Sequence, residues 1–318
     1  MNILVFGAGV LGSLYAARLK EAGHNVTVLA RGQRLADIQR YGLVLEDALT
    51  GRQTTTPVRV VAEVSPDEAY DLVLVLVRKN QLSNALPALK QISSPTLLFM
   101  LNNAEGPALL IRELDPLRVL LGFPGAGGTL ENHLVRYVLI PQQRTTLGEL
   151  SGQLTARTAT LVRLFERAGF PAESSRAMDD WLKTHAVFVT AISGAFYQAG
   201  ANLRRLAESP SGVPLLVRAV REGFRVLRAR GVQVVPFKLR ILFNWLPAAV
   251  PVAYWRRYFR SPLGEYAFAR HSRAAGDELK QLADEVRQLK AGCTVSTPAL
   301  DELYSAIDVF AGQSAPNR

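Results

Sequence analysis

The sequence holds one cysteine, Cys293, in 318 residues. A single thiol excludes an intrachain disulfide framework and suits a reducing cytoplasm, where its simplest role is that of a small packing residue. No apolar run approaches the roughly 20 residues that cross a bilayer, and the chain opens directly on a strand pattern rather than on a secretion signal. A cytoplasmic protein with no membrane partner is expected. The net charge is +10, but Lys and Arg are scattered through helical patterns rather than gathered in a tail, and no zinc finger or other nucleic-acid motif accompanies them. Neither a nucleic-acid partner nor a metal site is expected, since a local positive field suffices for an anionic cofactor. What the chain does have is 48% hydrophobic residues against 20% charged ones, over a length greater than one core usually serves. That composition is the one expected of a soluble enzyme with more than one domain.

The chain is organised around its first thirty-one residues. Residues 2–6 (NILVF) form a short apolar run, followed by Gly7-Ala8-Gly9-Val10-Leu11-Gly12 and a helical pattern that reaches about Ala22. This is strand, tight turn, helix. Gly7 allows the sharp turn, Gly9 lets backbone approach a pyrophosphate, and Gly12 lets the helix lie close to the sheet. Ala8, Val10 and Leu11 complete a turn whose N–H groups and helix dipole favour phosphate. A lone glycine motif also serves ordinary turns, but set between this strand and a second one at Asn25–Ala30 it points to a dinucleotide. The second strand ends in Arg31-Gly32-Gln33-Arg34, with no carboxylate before Asp37. An NAD site places an acid there for the ribose 2′-hydroxyl, whereas an arginine fork holds a 2′-phosphate. NADP(H) is therefore the expected cofactor, with Arg31 on its phosphate, while Arg34 reads as a surface charge near the next helix start.

Leu72–Val77 and Thr96–Leu101 are unalternating apolar runs, the pattern of parallel strands covered on both faces. The second ends in Asn102-Asn103-Ala104-Glu105-Gly106, at the strand end where open α/β sheets bind ligands. Asn102 is a candidate for the nicotinamide ribose or the substrate, its ordinary role being a turn cap. Residues 134–140 and 144–150 are expected to pair as antiparallel edge strands, and the glycine-dense stretch at 125–128 is not placed as a second phosphate loop. The sequence thus predicts an α/β fold with a Rossmann-type dinucleotide-binding domain over 1–172 and an all-helical domain over 173–318. The latter, with helices near 178–199, 213–230, 237–246, 250–259, 272–291 and 298–313, would carry substrate binding and form a homodimer.

Lys183 sits early in an otherwise apolar helical pattern. An ammonium there could hydrogen-bond a ketone that takes hydride and then supply the proton, but spacing alone does not separate that role from a solvent-facing lysine. His185 is the competing acid; offset by two positions, it cannot share the lysine's helix face. The stretch from Leu239 to Arg260 mixes aromatic and basic residues. Pro247 and Pro251 break it, so packing over the substrate cleft or a partner subunit is favoured over an interfacial or stacking surface.

Together, GAGVLG at 7–12, Arg31, VRKNQ at 77–81, LNNAEG at 101–106, WLKTHAVF at 181–188, and the segment from Asp277 through TPALDEL at 297–303 resemble the ketopantoate reductase family across nearly the whole chain. The resemblance implies NADPH-dependent reduction of 2-dehydropantoate to pantoate, or of a closely related small 2-keto acid, in the route to pantothenate and coenzyme A. It implies Lys183 as catalytic acid, Asn102 in contact with cofactor and substrate, Arg31 on the 2′-phosphate, and a late glutamate that holds the substrate hydroxyl. Glu278 matches that glutamate, with Asp277 as the alternative because the loop at 292–297 differs. Arg78 stands near the family's cofactor-binding lysine, keeping its charge but not its geometry, and Lys79 adjoins it in another register. Val187 and Ala191 replace polar positions one and two turns beyond the lysine, and Ser261 is a loose match to a carboxylate-binding serine. These departures also fit a reductase of a more apolar keto acid, or a nicotinamide-binding regulatory protein that has lost catalysis.

Overall fold

The computed structural model describes residues 1–65 and 67–314. The chain divides into two compact units, one made of Met1–Leu101 and Pro107–Met178, the other of Asn102–Gly106 and the residues from Asp179 onward.

Among the described residues the first unit contains strands β1 (Asn2–Phe6), β2 (Asn25–Leu29), β3 (Leu43–Asp47), β4 (Gln53–Thr56), β5 (Arg59–Val61), β6 (Leu72–Val75), β7 (Leu97–Met100), β8 (Val119–Phe123), β9 (Ala126–Glu131), β10 (Leu134–Leu139), β11 (Thr145–Glu149) and β12 (Ala172–Ser174). Eight of them form one sheet in the order β12-β11-β8-β7-β6-β1-β2-β5, parallel throughout except where β11 meets β8. From β5 to β8 this is the doubly wound order, with its switch point between β1 and β6. The unalternating runs have the expected cause: β6 and β7 are buried at every position. Helices α1 (Val10–Glu21), α2 (Gly32–Tyr41), α3 (Leu82–Gln91), α4 (Ala108–Glu113) and α5 (Ala156–Arg167) belong to the same unit. Tyr15 of α1 stacks on Phe170 at 4.1 Å and shares a hydrogen bond with Thr145 Oγ1 at 2.6 Å, which fixes the helix that begins at the glycine turn.

Two expectations for this unit are corrected. Residues 134–140 and 144–150 do not pair with each other. β10 lies antiparallel to β9 and parallel to β3 in a second sheet ordered β4-β3-β10-β9, while β11 pairs with β8 and β12. The cause is the turn at Asn132, whose φ of 55° closes β9 and β10 into a hairpin. Glycine density at 125–128 serves that pairing: a Cβ on Gly128 would lie 2.2 Å from the Arg136 carbonyl oxygen. The boundary expected at 172 falls later, because β12 still joins the sheet and Ser175 N donates to the Leu147 carbonyl at 2.8 Å.

The second unit is helical: α6 (Met178–Gln198), α7 (Leu203–Glu208), α8 (Gly212–Ala229), α9 (Phe237–Arg240), α10 (Ala249–Phe259), α11 (Pro262–Gly264), α12 (Arg270–Ala274), α13 (Gly276–Lys290) and α14 (Pro298–Ser314). Its core gathers Phe196, Phe224, Phe243, Leu303 and Tyr304, all at most 1% exposed. α6 runs through the middle. Its Gly194 meets α14, where a Cβ would come within 2.4 Å of the Leu303 carbonyl oxygen, and its Val187 occupies the place that a Cβ on Gly223 of α8 would need. The helices expected at 237–246 and 272–291 are both interrupted. After α9 the backbone widens over Ile241–Trp245, with Leu246 N donating to the Ile241 carbonyl at 3.1 Å, and at Ala275 (φ −127°, ψ 31°) the chain leaves the helical region before α13.

Candidate functional site

In the first unit the three glycines of the first turn are needed for three different reasons. Gly7 has φ +112°, and a Cβ there would be 2.6 Å from the Leu76 carbonyl oxygen. Gly12 lies so close beneath the turn that a Cβ would meet Gly7 O at 1.8 Å. Gly9 is different, for its Cβ would enter open space. It stands extended at the start of α1, where no side chain caps the helix and no acid occupies the first turn. Free N–H groups and the dipole are thus presented beside Ala8, Val10 and Leu11.

Arg31 is exposed at the start of α2, just beyond β2, and the first acid after it, Asp37, accepts a hydrogen bond from Gln33 at 2.8 Å. Arg34 is not the solvated surface charge that its position suggests. Its Nε donates to Ala8 O at 3.0 Å, Nη2 to Ser13 Oγ at 2.7 Å and Nη1 to His133 O at 3.3 Å, so the guanidinium clamps the glycine turn. Burial lowers its pKa from the usual 12.5. Arg78 is half-buried at the start of a short turn over Lys79–Gln81, and the neighbouring Lys79 is only 5% exposed.

A polar cluster occupies the second unit. Lys183 lies near the start of α6 and forms an ion pair with Asp179 one turn earlier. Gly106 faces them: a Cβ there would be 3.5 Å from Lys183 Nζ and 3.3 Å from Asp179 Oδ1, and its φ of +88° suits only glycine. Asn103 Nδ2 donates to Gly106 O at 2.8 Å and shapes the loop. α13 anchors the loop from another side. Asn102 Nδ2 donates to Glu278 Oε1 at 3.2 Å, and Ala104 N donates to Glu285 Oε2 at 2.9 Å. Glu278 and Glu285 are two turns apart on one helix face and are 4% and 2% exposed.

Three buried atoms in this cluster have no partner among the described residues: Asn102 Oδ1, Glu278 Oε2 and Asp179 Oδ1. A buried polar atom without a hydrogen bond costs about 1–3 kcal/mol, a cost that a donor from outside the chain would remove.

Of the two neighbouring acids, Glu278 is buried and accepts a hydrogen bond from Asn102, whereas Asp277 is exposed. His185 stacks on Trp181 at 5.2 Å, and burial pushes its pKa down to about 3, so the ring is neutral near pH 7. Val187 and Ala191 are wholly buried in the helical core. An asparagine at 187 would be pressed against Gly223 rather than offered to a substrate. The Ser261 hydroxyl is engaged locally. It donates to Tyr258 O at 2.6 Å and caps α11 through the Gly264 amide. Asp179 and Glu285 were not singled out from the sequence, although their spacings, four residues before Lys183 and seven after Glu278, are the helical signals that reveal them.

A doubly wound nucleotide-binding unit joined to an all-helical unit with a lysine, amide and carboxylate cluster defines a class, the two-unit oxidoreductases of Rossmann type. Comparison with known proteins narrows it. Residues 3–152 match the family model described as ketopantoate reductase PanE/ApbA. A 2-dehydropantoate 2-reductase of Halobacterium salinarum is 30% identical over 238 residues, covering 74% of this chain and 77% of that protein. An uncharacterized oxidoreductase of Bacillus subtilis, YkpB, is 26% identical over 249 residues, covering 74% and 78%. Among solved structures, a PanE/ApbA family ketopantoate reductase from Ralstonia eutropha superposes with a TM-score of 0.76 at 22% identity, covering 98% of this chain and 99% of that one. D-mandelate dehydrogenase with NADH and anilino(oxo)acetate does so with a TM-score of 0.79 at 17% identity, covering 98% and 99%. The chain belongs to the ketopantoate reductase family.

Proposed function

We propose that the protein reduces 2-dehydropantoate, or a closely related small 2-keto acid, to the 2-hydroxy acid with NADPH. The observation that carries this reading is the cluster in which Lys183 Nζ stands beside the Gly106 loop while Asn102 and Glu278 each keep one buried oxygen without a partner. Family membership adds the reaction class. The residues of the glycine turn fit a dinucleotide. Open space at the Gly9 Cβ leaves room for a pyrophosphate on the first N–H groups of α1, and Arg31 is free of an acidic neighbour that would repel a 2′-phosphate. When bound, NADPH supplies hydride to the keto carbon.

The chain's own residues do the rest. Lys183 donates a hydrogen bond to the keto oxygen, steadies the negative charge that develops there, and gives up the proton that completes the hydroxyl. Asp179 keeps the ammonium on the Gly106 side of α6. Glu278 Oε2 accepts a hydrogen bond from the substrate hydroxyl, and Asn102 holds Glu278 in the required rotamer while keeping its own Oδ1 for the substrate or the ribose.

One observation favours a second reading, a more apolar keto acid. The positions one and two turns beyond Lys183 are the core residues Val187 and Ala191, so hydroxyl recognition rests on Asn102 and Glu278 alone. An NADPH oxidation screen separates the two. Higher kcat/KM for 2-dehydropantoate than for 2-keto acids of equal size without a hydroxyl, lost in Glu278→Gln, supports the first. Preference for the unhydroxylated acids supports the second, and no turnover of any 2-keto acid overturns both.

A further inference from the structure

Between Glu222 and Glu265 the chain carries eight Lys or Arg and no Asp or Glu, so most of the net charge of +10 originates in one continuous segment of the helical unit. The same segment leaves large apolar side chains in solvent. Phe237 is 53% and Trp245 59% exposed; their rings meet edge to face at 5.2 Å, and the Arg240 guanidinium covers both at 5.2 and 5.5 Å. On α10, Val250 and Tyr254 lie one turn apart on one side and are 44% and 39% exposed, with Ala248 and Ala249 exposed beside them. The inner sides of these elements are filled: Trp255 stacks on Phe243 at 6.5 Å, and Arg221 donates to the carbonyls of Phe243 and Leu246 at 2.5 and 2.8 Å. Trp245 therefore points outward from a backbone that is tied down from beneath.

We propose that this surface lies against an anionic lipid bilayer, with Trp245, Phe237 and Val250 at the boundary between headgroups and acyl chains and with Arg240, packed on both rings, and the exposed Arg257 of α10 over the phospholipid headgroups. Aromatic rings with a wet edge favour that boundary, and Lys and Arg add attraction to anionic lipids. This mode needs no spanning segment, and among the described residues no helix is long and apolar enough to cross a membrane. A second copy of this chain is a poorer occupant, because a two-fold contact would set the same acid-free segment against itself. Nucleic acid could stack on the two rings but would gain nothing from Val250, Ala248 and Ala249, which have no π face.

The fluorescence of the protein provides the test. Trp181 and Trp255 are 6% and 7% exposed, so a change in solvent-exposed tryptophan emission reports Trp245. The full chain is mixed with vesicles of phosphatidylcholine alone and of phosphatidylcholine with about one third phosphatidylserine. Blue-shifted emission and flotation with the anionic vesicles only, weakened about tenfold at high salt, are expected. Trp245→Ser and Arg257→Gln should each reduce flotation severalfold with the melting temperature unchanged. Absence of flotation with both vesicles, or equal flotation with the neutral ones, overturns the proposal. So does emission that shifts with a single-stranded oligonucleotide but not with vesicles, or a concentration-dependent dimer abolished by Trp245→Ser.

Discussion

The glycine turn and the Lys183 cluster achieve precision by opposite means. The turn is a matter of backbone: Gly7, Gly9 and Gly12 lie within six consecutive residues, and what matters is where side chains are absent. The cluster is a matter of side chains drawn from three stretches, residues 102–106, the start of α6 and one face of α13. The first needs one neighbouring strand end, at Leu76, besides its own backbone, whereas the second exists only when helices far apart in sequence pack in the right register. A backbone site should therefore fail through crowding, and a side-chain site through the loss of single donors and acceptors.

The largest effect is expected on the side-chain site. Lys183→Ala removes the donor to the developing alkoxide, and kcat should fall by about 10² to 10³ with little change in the KM for NADPH. Steady-state kinetics check this, and full activity in the variant would remove Lys183 from the mechanism. Next comes Arg31→Ala. Losing charge-assisted hydrogen bonds to a 2′-phosphate costs about 1.5–3 kcal/mol, so NADPH should bind roughly 10- to 100-fold more weakly while NADH binding changes little. Titration of both cofactors decides, and an equal loss for both would show that Arg31 does not read the phosphate.

The glycine turn offers a paired test of smaller size. In Gly12→Ala the new methyl would meet Gly7 O at 1.8 Å, so the turn must shift even in the free protein, with a loss of about 1–3 kcal/mol in stability. Gly9→Ala meets nothing within 4 Å and should leave the melting temperature nearly unchanged while raising the NADPH dissociation constant. If both variants melt alike, crowding of the empty turn is not what distinguishes the two glycines.

The same contrast explains what could be read from the sequence. Strand, turn and helix were legible because each rests on local pattern, and so was the helical second unit; the contact of Asn102 with Glu278 and the ion pair of Lys183 with Asp179 join residues that no local spacing except the helical i, i+4 of the latter could bring together. Arg34 was misread because its three acceptors, Ala8 in the glycine turn, Ser13 in α1 and His133, are distant in sequence and carry no spacing signal. The strand partners of β10 and β11 were misread for a related reason: the Asn132 turn fixes one hairpin, but sheet order depends on strands far along the chain. Val187 looked like an altered site residue from the family resemblance alone. Only the presence of Gly223 on α8 makes it a core position.

His185 gives the smallest effect and separates structure from chemistry on α6. Its pKa is pushed by burial from 6.5 down to about 3, so between those values the unfolded chain binds a proton that the folded chain does not. Stability is therefore complete above pH 6.5 and declines as the pH falls, at a slope that approaches about 1.4 kcal/mol per pH unit. His185→Gln removes this titration, and its melting temperature should fall less steeply than that of the parent between pH 6.5 and 4.5. Lys183 lies two positions away on another face of the helix, so kcat at neutral pH should stay within about twofold of the parent. A parallel decline in the two proteins would show that His185 is protonated in the fold. A large drop in kcat at neutral pH would instead place the imidazole in the reaction alongside Lys183.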